Sequence, residues 1–175
     1  LYFADNTLEL WMPSEAHEEL NRMVALLIAL IYGEWDVEAR DLGSMTHSDP
    51  ATDRGFEPDT CFYEDVETGG ETVSRPRLAV EMERTNSALA KLPIYAAYGM
   101  PEVWRVSLSD TGELQARFYR LEEGDYREVS ESIAVPPMTP DLLCDFLRAR
   151  LTATRLGAWI ASVQNWARAR PHVSA

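Results

Sequence analysis

The stretch RLAVEMERTNSALAKLPIYAAYGMPEVWRV, from Arg77 to Val106, decides the reading of the fold. Its opening segment, Arg77 to Glu83, alternates. Leu78, Val80 and Met82 fall on one side of an extended chain and Ala79, Glu81 and Glu83 on the other, because strand side chains have a period of two. A helix is expected from about Ser87 to Tyr98, with Gly99 as its C-terminal stop. Pro101 to Leu108 then reads as an apolar strand. Strand, helix, strand in succession leaves two carboxylates side by side on one strand, with a helix next to follow them.

The flanking sequence supplies the rest of a layered fold. Asn6 to Met12 alternates like a strand, and Ser14 is a candidate helix N-cap followed by an acidic first turn. Leu20, Met23, Val24, Leu27, Ile28 and Ile31 recur at helical spacing, predicting a helix to about Tyr32 with one broad apolar face and with His17 and Asn21 on its edge. Glu34 to Arg40 and Glu57 to Glu64 read as strands, whereas Gly43 to Gly55 and Glu67 to Pro76 read as loops rich in turn formers. Beyond Leu108, the turn SDTGE leads to a strand over Leu114 to Leu121, and EEGD leads on to Tyr126 to Ser130. Helices are expected from near Thr139 and again from near Thr154. The order predicts an α/β fold: a core of helix, three strands, helix and strand, with a mixed sheet, a hairpin extension and C-terminal helices. Residues 1–150 are expected to form the main domain, with 151–175 as a helical extension of it.

Composition narrows the function classes. No apolar run approaches the roughly 18 residues of a membrane span. Cys61 and Cys144 lie far apart, without the paired spacing of a zinc site or the density of a disulfide framework, so both are expected to be reduced. No basic segment followed by an apolar one opens the chain, and a cytoplasmic location is expected. The net charge of −13 weighs against nucleic-acid binding, which usually depends on clustered Lys and Arg. The charge is uneven, however. From Phe146 to Ala175 there are five arginines and no acidic residue, making the tail locally basic. Leu156, Trp159, Ile160, Val163 and Trp166 form an apolar stripe there that either covers the core or joins two subunits.

Asp59 follows a proline, Glu81 lies 22 positions later, and Glu83 shares its strand face. Hard divalent cations take oxygen ligands, so carboxylates converging from neighbouring strands would suit one. Lys91 is the only lysine beside fifteen arginines. Phosphodiester hydrolysis needs positive charge at the developing oxyanion and a group to orient the attacking water, and a compact ammonium of tunable pKa meets both needs. Lys91 and Tyr95, four apart, share a helix face that can look back at Glu81. Each residue alone also has an ordinary reading: Asp59 as a turn cap, Glu81 and Glu83 as a solvated face, Lys91 as helix surface, His17 as a satisfied structural group. Their joint placement on strand, strand and helix favours a site.

The segments NTLELWMPSEAHEELNRM, ARDLGSMT, RGFEPDTCFYE, LAVEMERTNSALAKLPIYAAYGMPEVWRV and LEEGDYREV resemble the Uma2 family, a restriction-endonuclease-like group of the PD-(D/E)XK nuclease superfamily, over about three quarters of the chain. The resemblance implies a metal-dependent endonuclease acting on DNA, with Mg²⁺ or Mn²⁺ held by Asp59, Glu81 and the backbone carbonyl of Met82, and with Glu83 a further candidate. The superfamily pattern asks for lysine two residues after the glutamate, where this chain has Glu83. Lys91 is then read as the catalytic lysine relocated to the following helix, with Tyr95 and His17 as supporting residues. A homodimer or other homo-oligomer is expected. The alternative is a catalytically weak or inactive nuclease fold serving as a binding or assembly module, which the acidic charge favours.

Overall fold

A computed structural model describes residues 2–4, 7–9, 15–44, 46–49, 54–68, 70–83, 88–109, 111–153 and 155–170. In chain order these form β1 (Tyr2–Ala4), β2 (Thr7–Glu9), α1 (Glu15–Trp35), β3 (Ala39–Asp41), β4 (His47–Asp49), β5 (Arg54–Phe56), β6 (Thr60–Thr68), β7 (Glu71–Glu83), α2 (Ala88–Ala97), β8 (Glu102–Leu108), β9 (Leu114–Glu122), β10 (Asp125–Val129), α3 (Pro140–Thr152) and α4 (Leu156–Arg168). The larger sheet has the order β10-β9-β8-β7-β6-β3, and a smaller one has the order β2-β1-β5-β4. Only β7 and β8 run parallel within the larger sheet, because α2 carries the chain across between them; its other described neighbours are antiparallel.

The alternation along β7 sorts the protein into layers. Leu78, Val80 and Met82 enter the larger core with the apolar face of α1, Leu143 and Leu147 of α3, and Trp159 and Val163 of α4. Ala79 lies on the opposite face with Phe56, Ile94, Tyr95, Met100 and Val103, so α2 covers that side. Of the apolar stripe on α4, Trp159 and Val163 are buried in the larger core and Ile160 and Trp166 pack partly against it, whereas Leu156 is exposed. Trp35 Nε1 donates to the Ala167 carbonyl at 2.9 Å and Trp159 Nε1 to that of Phe146 at 2.9 Å, tying α4 to α1 and α3.

Helix α2 ends as expected. Gly99 adopts φ +68°, a left-handed conformation that favours glycine. Its N–H donates to the Ala96 carbonyl at 2.9 Å and the Met100 N–H to that of Tyr95 at 3.0 Å, which is a Schellman cap. Three other expectations are corrected. Helix α1 continues to Trp35, so no strand begins at Glu34; the chain turns at Asp36, with φ +55°, and the Val37 N–H donates to the Tyr32 carbonyl. The segment Gly43 to Gly55 holds β4 and the start of β5 rather than only loop. The segment Glu67 to Pro76 is mostly strand: Glu64 to Thr68 pair with Arg75 to Glu71 as a long exposed hairpin. Its Thr and Val residues favour extended chain, which outweighs the turn formers between them. Ser14, Ser87, Thr154 and the two ends of the stretch Asn6 to Met12 lie outside the described residues.

Candidate active site

The register between β6 and β7 pairs Thr60 with Val80, so Asp59, one residue earlier, lies level with the Glu81 region. The Asp59 side chain extends the pairing: Oδ2 accepts the Met82 N–H at 2.7 Å. Helix α1 braces the same corner with two residues one turn apart. Asn21 Nδ2 donates to the Asp59 carbonyl at 2.9 Å, while its Oδ1 accepts the Thr60 hydroxyl at 2.9 Å. His17 Nε2 donates to the Met82 carbonyl at 3.2 Å and lies 3.4 Å from Asp59 Oδ2. The hydrogen bond with Asp59 raises the His17 pKa above the usual imidazole value, against the opposing pull of burial.

Glu81 is 2% exposed. Lys91 Nζ donates to its Oε2 at 2.8 Å, and the buried Tyr95 hydroxyl donates to its Oε1. The spacing of Lys91 and Tyr95 thus brings both onto one carboxylate. Phe56 packs edge-on against the Tyr95 ring at 4.5 Å between centroids, fixing the ring from the far side. Burial raises the Glu81 pKa, Lys91 opposes that shift, and the charge of nearby Asp59 adds to it. Burial would lower the Lys91 pKa, but Glu81 overcompensates and the net shift is upward, so the ammonium stays charged. Burial, reinforced by Glu81, holds Tyr95 well above the usual phenol value, so it remains a hydrogen-bond donor.

Glu83, on the same strand face, is paired with Arg105, and its charge also acts on Lys91. Arg105 of β8 clamps Glu83 from Nε at 2.8 Å and from Nη2, while Arg105 Nη1 donates to the Tyr119 hydroxyl at 3.1 Å. Such a bidentate pair uses both carboxylate oxygens. Among the described residues no group of three or more His, Cys, Asp or Glu side chains could hold a metal ion. The oxygens on hand still fit an ion that keeps much of its water. The Asp59 carboxylate is about a quarter exposed (26%), the Met82 carbonyl faces the same His17 nitrogen that Asp59 does, and the Glu81 carboxylate is adjacent. One or two carboxylates plus waters are what Mg²⁺ usually takes from a protein, rather than an all-protein cage.

Two residues of this neighbourhood were not singled out as functional from sequence. Asn21 was visible only as a polar residue on a helix edge, although its spacing from His17 marks one shared face. Arg105 is the one basic residue inside the otherwise largely apolar strand PEVWRVSL, and that interruption was the available signal. The arginine-rich tail is partly neutralised: Arg168 pairs with Glu34 at 2.7 Å and Arg148 with Asp145 at 2.8 Å.

A mixed sheet flanked by α1 on one face and α2 on the other, with Asp59 just ahead of β6 and Glu81 on the neighbouring β7, defines a restriction-endonuclease-like fold. A crystal structure from Anabaena variabilis, described as "a putative nuclease belonging to DUF820", shares the fold with a TM-score of 0.58 and 13% identity, over 83% of this chain and 90% of that one. The model of the Uma2 family, described as "Putative restriction endonuclease", matches residues 1–153, and the chain belongs to that family. No functionally curated protein matches the chain in sequence. No helix among the described residues is long and apolar enough to cross a membrane.

Proposed function

We propose that the protein is a divalent-metal-dependent endonuclease that hydrolyses DNA phosphodiester bonds. The observation that carries the reading is the buried Glu81 carboxylate, held by Lys91 at 2.8 Å and by Tyr95 and lying beside Asp59. Asp59, Glu81 and the Met82 carbonyl would hold Mg²⁺ or Mn²⁺. When bound, such an ion supplies Lewis-acid stabilisation of phosphoryl oxygens and makes water a better nucleophile. The remaining work belongs to side chains. Lys91, kept charged by Glu81, orients the attacking water and stabilises the charge that develops on the phosphate. Tyr95 and Asn21 act by positioning Glu81 and the Asp59 backbone, and His17 steadies Asp59 and the Met82 carbonyl.

Residues 1–150 are read as the nuclease unit and 151–175 as its helical extension. Cutting both strands of a duplex calls for two such centres, and a homodimer in the cytoplasm is the arrangement we propose; sedimentation equilibrium tests the stoichiometry. A second reading, a binding or assembly module without catalysis, is favoured by the net charge of −13 and by Glu83 at the usual lysine position. Cleavage of plasmid and of oligonucleotide with Mg²⁺ or Mn²⁺ separates the two readings. The protein is expected to cut, and Lys91→Ala and Glu81→Ala are expected to abolish cutting while circular dichroism shows folded protein. Equal cutting by all three would identify a contaminant, and no cutting by any would leave the binding module.

A further inference from the structure

The sheet face that carries Glu81 continues sideways. Glu81 pairs in register with Arg105 of β8, and Arg105 pairs with Arg117 of β9, so the three side chains form a row across adjacent strands. The next row is Glu83, Ser107 and Gln115. Beside these rows lies a cavity of about 170 Å³ whose lining includes Glu83, Arg105, Ser107, Gln115 and Arg117 together with Ala116 and Tyr119. It is smaller than the roughly 300 to 1,000 Å³ of a site for a drug-sized ligand, and its lining is largely polar. Charge and size together suit a single small anionic group.

We infer that this cavity is a subsite for a backbone phosphate of the nucleic acid, next to the one at Glu81 and Lys91. The inference rests on the nuclease reading of that centre. A substrate polymer must leave the reacting position along some surface, and here the face beside Glu81 offers two guanidinium groups with a serine and a glutamine between strands. The Glu83 charge is cancelled by the Arg105 clamp. A guanidinium has more N–H groups than Glu83 and Tyr119 use, so Arg105 can donate into the cavity without releasing Glu83. Among the described residues Arg117 is paired with Glu128 at 3.4 Å, with both side chains more than half exposed. An exposed pair of that kind is worth little, so a phosphate can replace Glu128 readily. With the Arg105–Glu83 pair counted as neutral, Arg117 is the cation that this row adds beside the site, and it is held there by a weak, exposed pair.

The test is the salt dependence of affinity for a fluorescent duplex of ~12 base pairs, measured by anisotropy in EDTA so that binding is read without cleavage. Arg117→Ala is compared with the wild type and with Arg127→Ala. Arg127 is exposed on the opposite face of the same sheet and pairs with Glu122. Each phosphate neutralised contributes about 0.9 to the slope of log affinity against log salt. Arg117→Ala is expected to weaken binding severalfold at low salt and to reduce the slope by about 0.9, Arg117→Lys to keep most of the slope, and Arg127→Ala to change neither quantity. Duplex binding whose slope is the same with and without Arg117 overturns the subsite and leaves the nuclease reading intact. Equal losses from Arg117→Ala and Arg127→Ala overturn it too, since a diffuse charge effect then explains both. Absence of duplex binding by the wild type overturns the subsite together with the DNA reading beneath it.

Discussion

Replacing Lys91 by methionine isolates what the lysine does for the fold from what it does for chemistry. In the wild type the Glu81 carboxylate is 2% exposed and has Lys91 at 2.8 Å as its cation. Removing one member of a buried ion pair costs about 3–5 kcal/mol, because the other charge stays buried and uncompensated. The Tyr95 hydrogen bond survives and Asp59 still repels, so a loss of ~3 kcal/mol is expected for Lys91→Met. With a urea m-value of about 2 kcal/mol/M, the unfolding midpoint falls by about 1.5 M. The double variant Lys91→Met/Glu81→Gln removes the orphaned charge while keeping the Tyr95 hydroxyl bonded to an oxygen, and it regains most of that loss. Under the nuclease reading, neither variant is expected to cleave DNA. Urea unfolding at pH 7 in EDTA, followed by far-UV circular dichroism, supplies the measurement. A loss below ~1 kcal/mol, or a double variant no more stable than the single one, refutes the claim that Lys91 neutralises Glu81.

Tyr95→Phe leaves the aromatic packing on Phe56 in place but removes the hydroxyl donor to Glu81; a loss of about 1.5–3 kcal/mol follows for a hydrogen bond to a charged group, read as a lower melting temperature. Glu83→Lys recreates the usual glutamate-x-lysine spacing but sets a cation against the buried Arg105, so it is expected to destabilise by about 3–5 kcal/mol without raising cleavage; an unchanged melting temperature would show that Arg105 does not depend on Glu83. Asn21→Ala strips partners from the Asp59 carbonyl and the Thr60 hydroxyl, costing ~1–3 kcal/mol in denaturant unfolding. Trp159→Ala opens the seam between α4 and the core, with a loss of about 3–5 kcal/mol and no change of mass in sedimentation; a fall in mass would mean that the stripe also joins subunits.

The parts of the fold that were legible in sequence are those whose pattern is local. The period-two run in β7 sorted Leu78, Val80 and Met82 from Ala79, Glu81 and Glu83, and the two layers follow that division. The apolar spacing in α1 and the glycine stop of α2 were equally readable. The apolar spacing runs out at Ile31 and Tyr32, three residues before α1 ends at Trp35, and the turn itself comes at Asp36. The hairpin over Glu64 to Arg75 was hidden because its strand pairing is exposed and leaves no apolar alternation to read. Within the site, Lys91 and Tyr95 could be placed by helical spacing relative to each other. Whether Glu83 turned toward Glu81 or toward Arg105 could not, because Arg105 arrives from a neighbouring strand and only the register between β7 and β8 brings the two together.

The division of the sheet into unequal layers also bears on motion. Asp59 and Glu81 are anchored in the central sheet and braced by the long α1, under a core that draws on three helices. Lys91 and Tyr95 ride on α2, a ten-residue helix with Pro93 inside it, over a much smaller apolar cluster. Proline removes a backbone hydrogen bond from a helix interior, and local opening tends to begin where few apolar contacts hold. Amide exchange should therefore be faster in α2 than in β7 or the middle of α1. The carboxylates would then form the fixed jaw of the site and the lysine the movable one, so that chain flexibility is concentrated in the half that carries the positive charge.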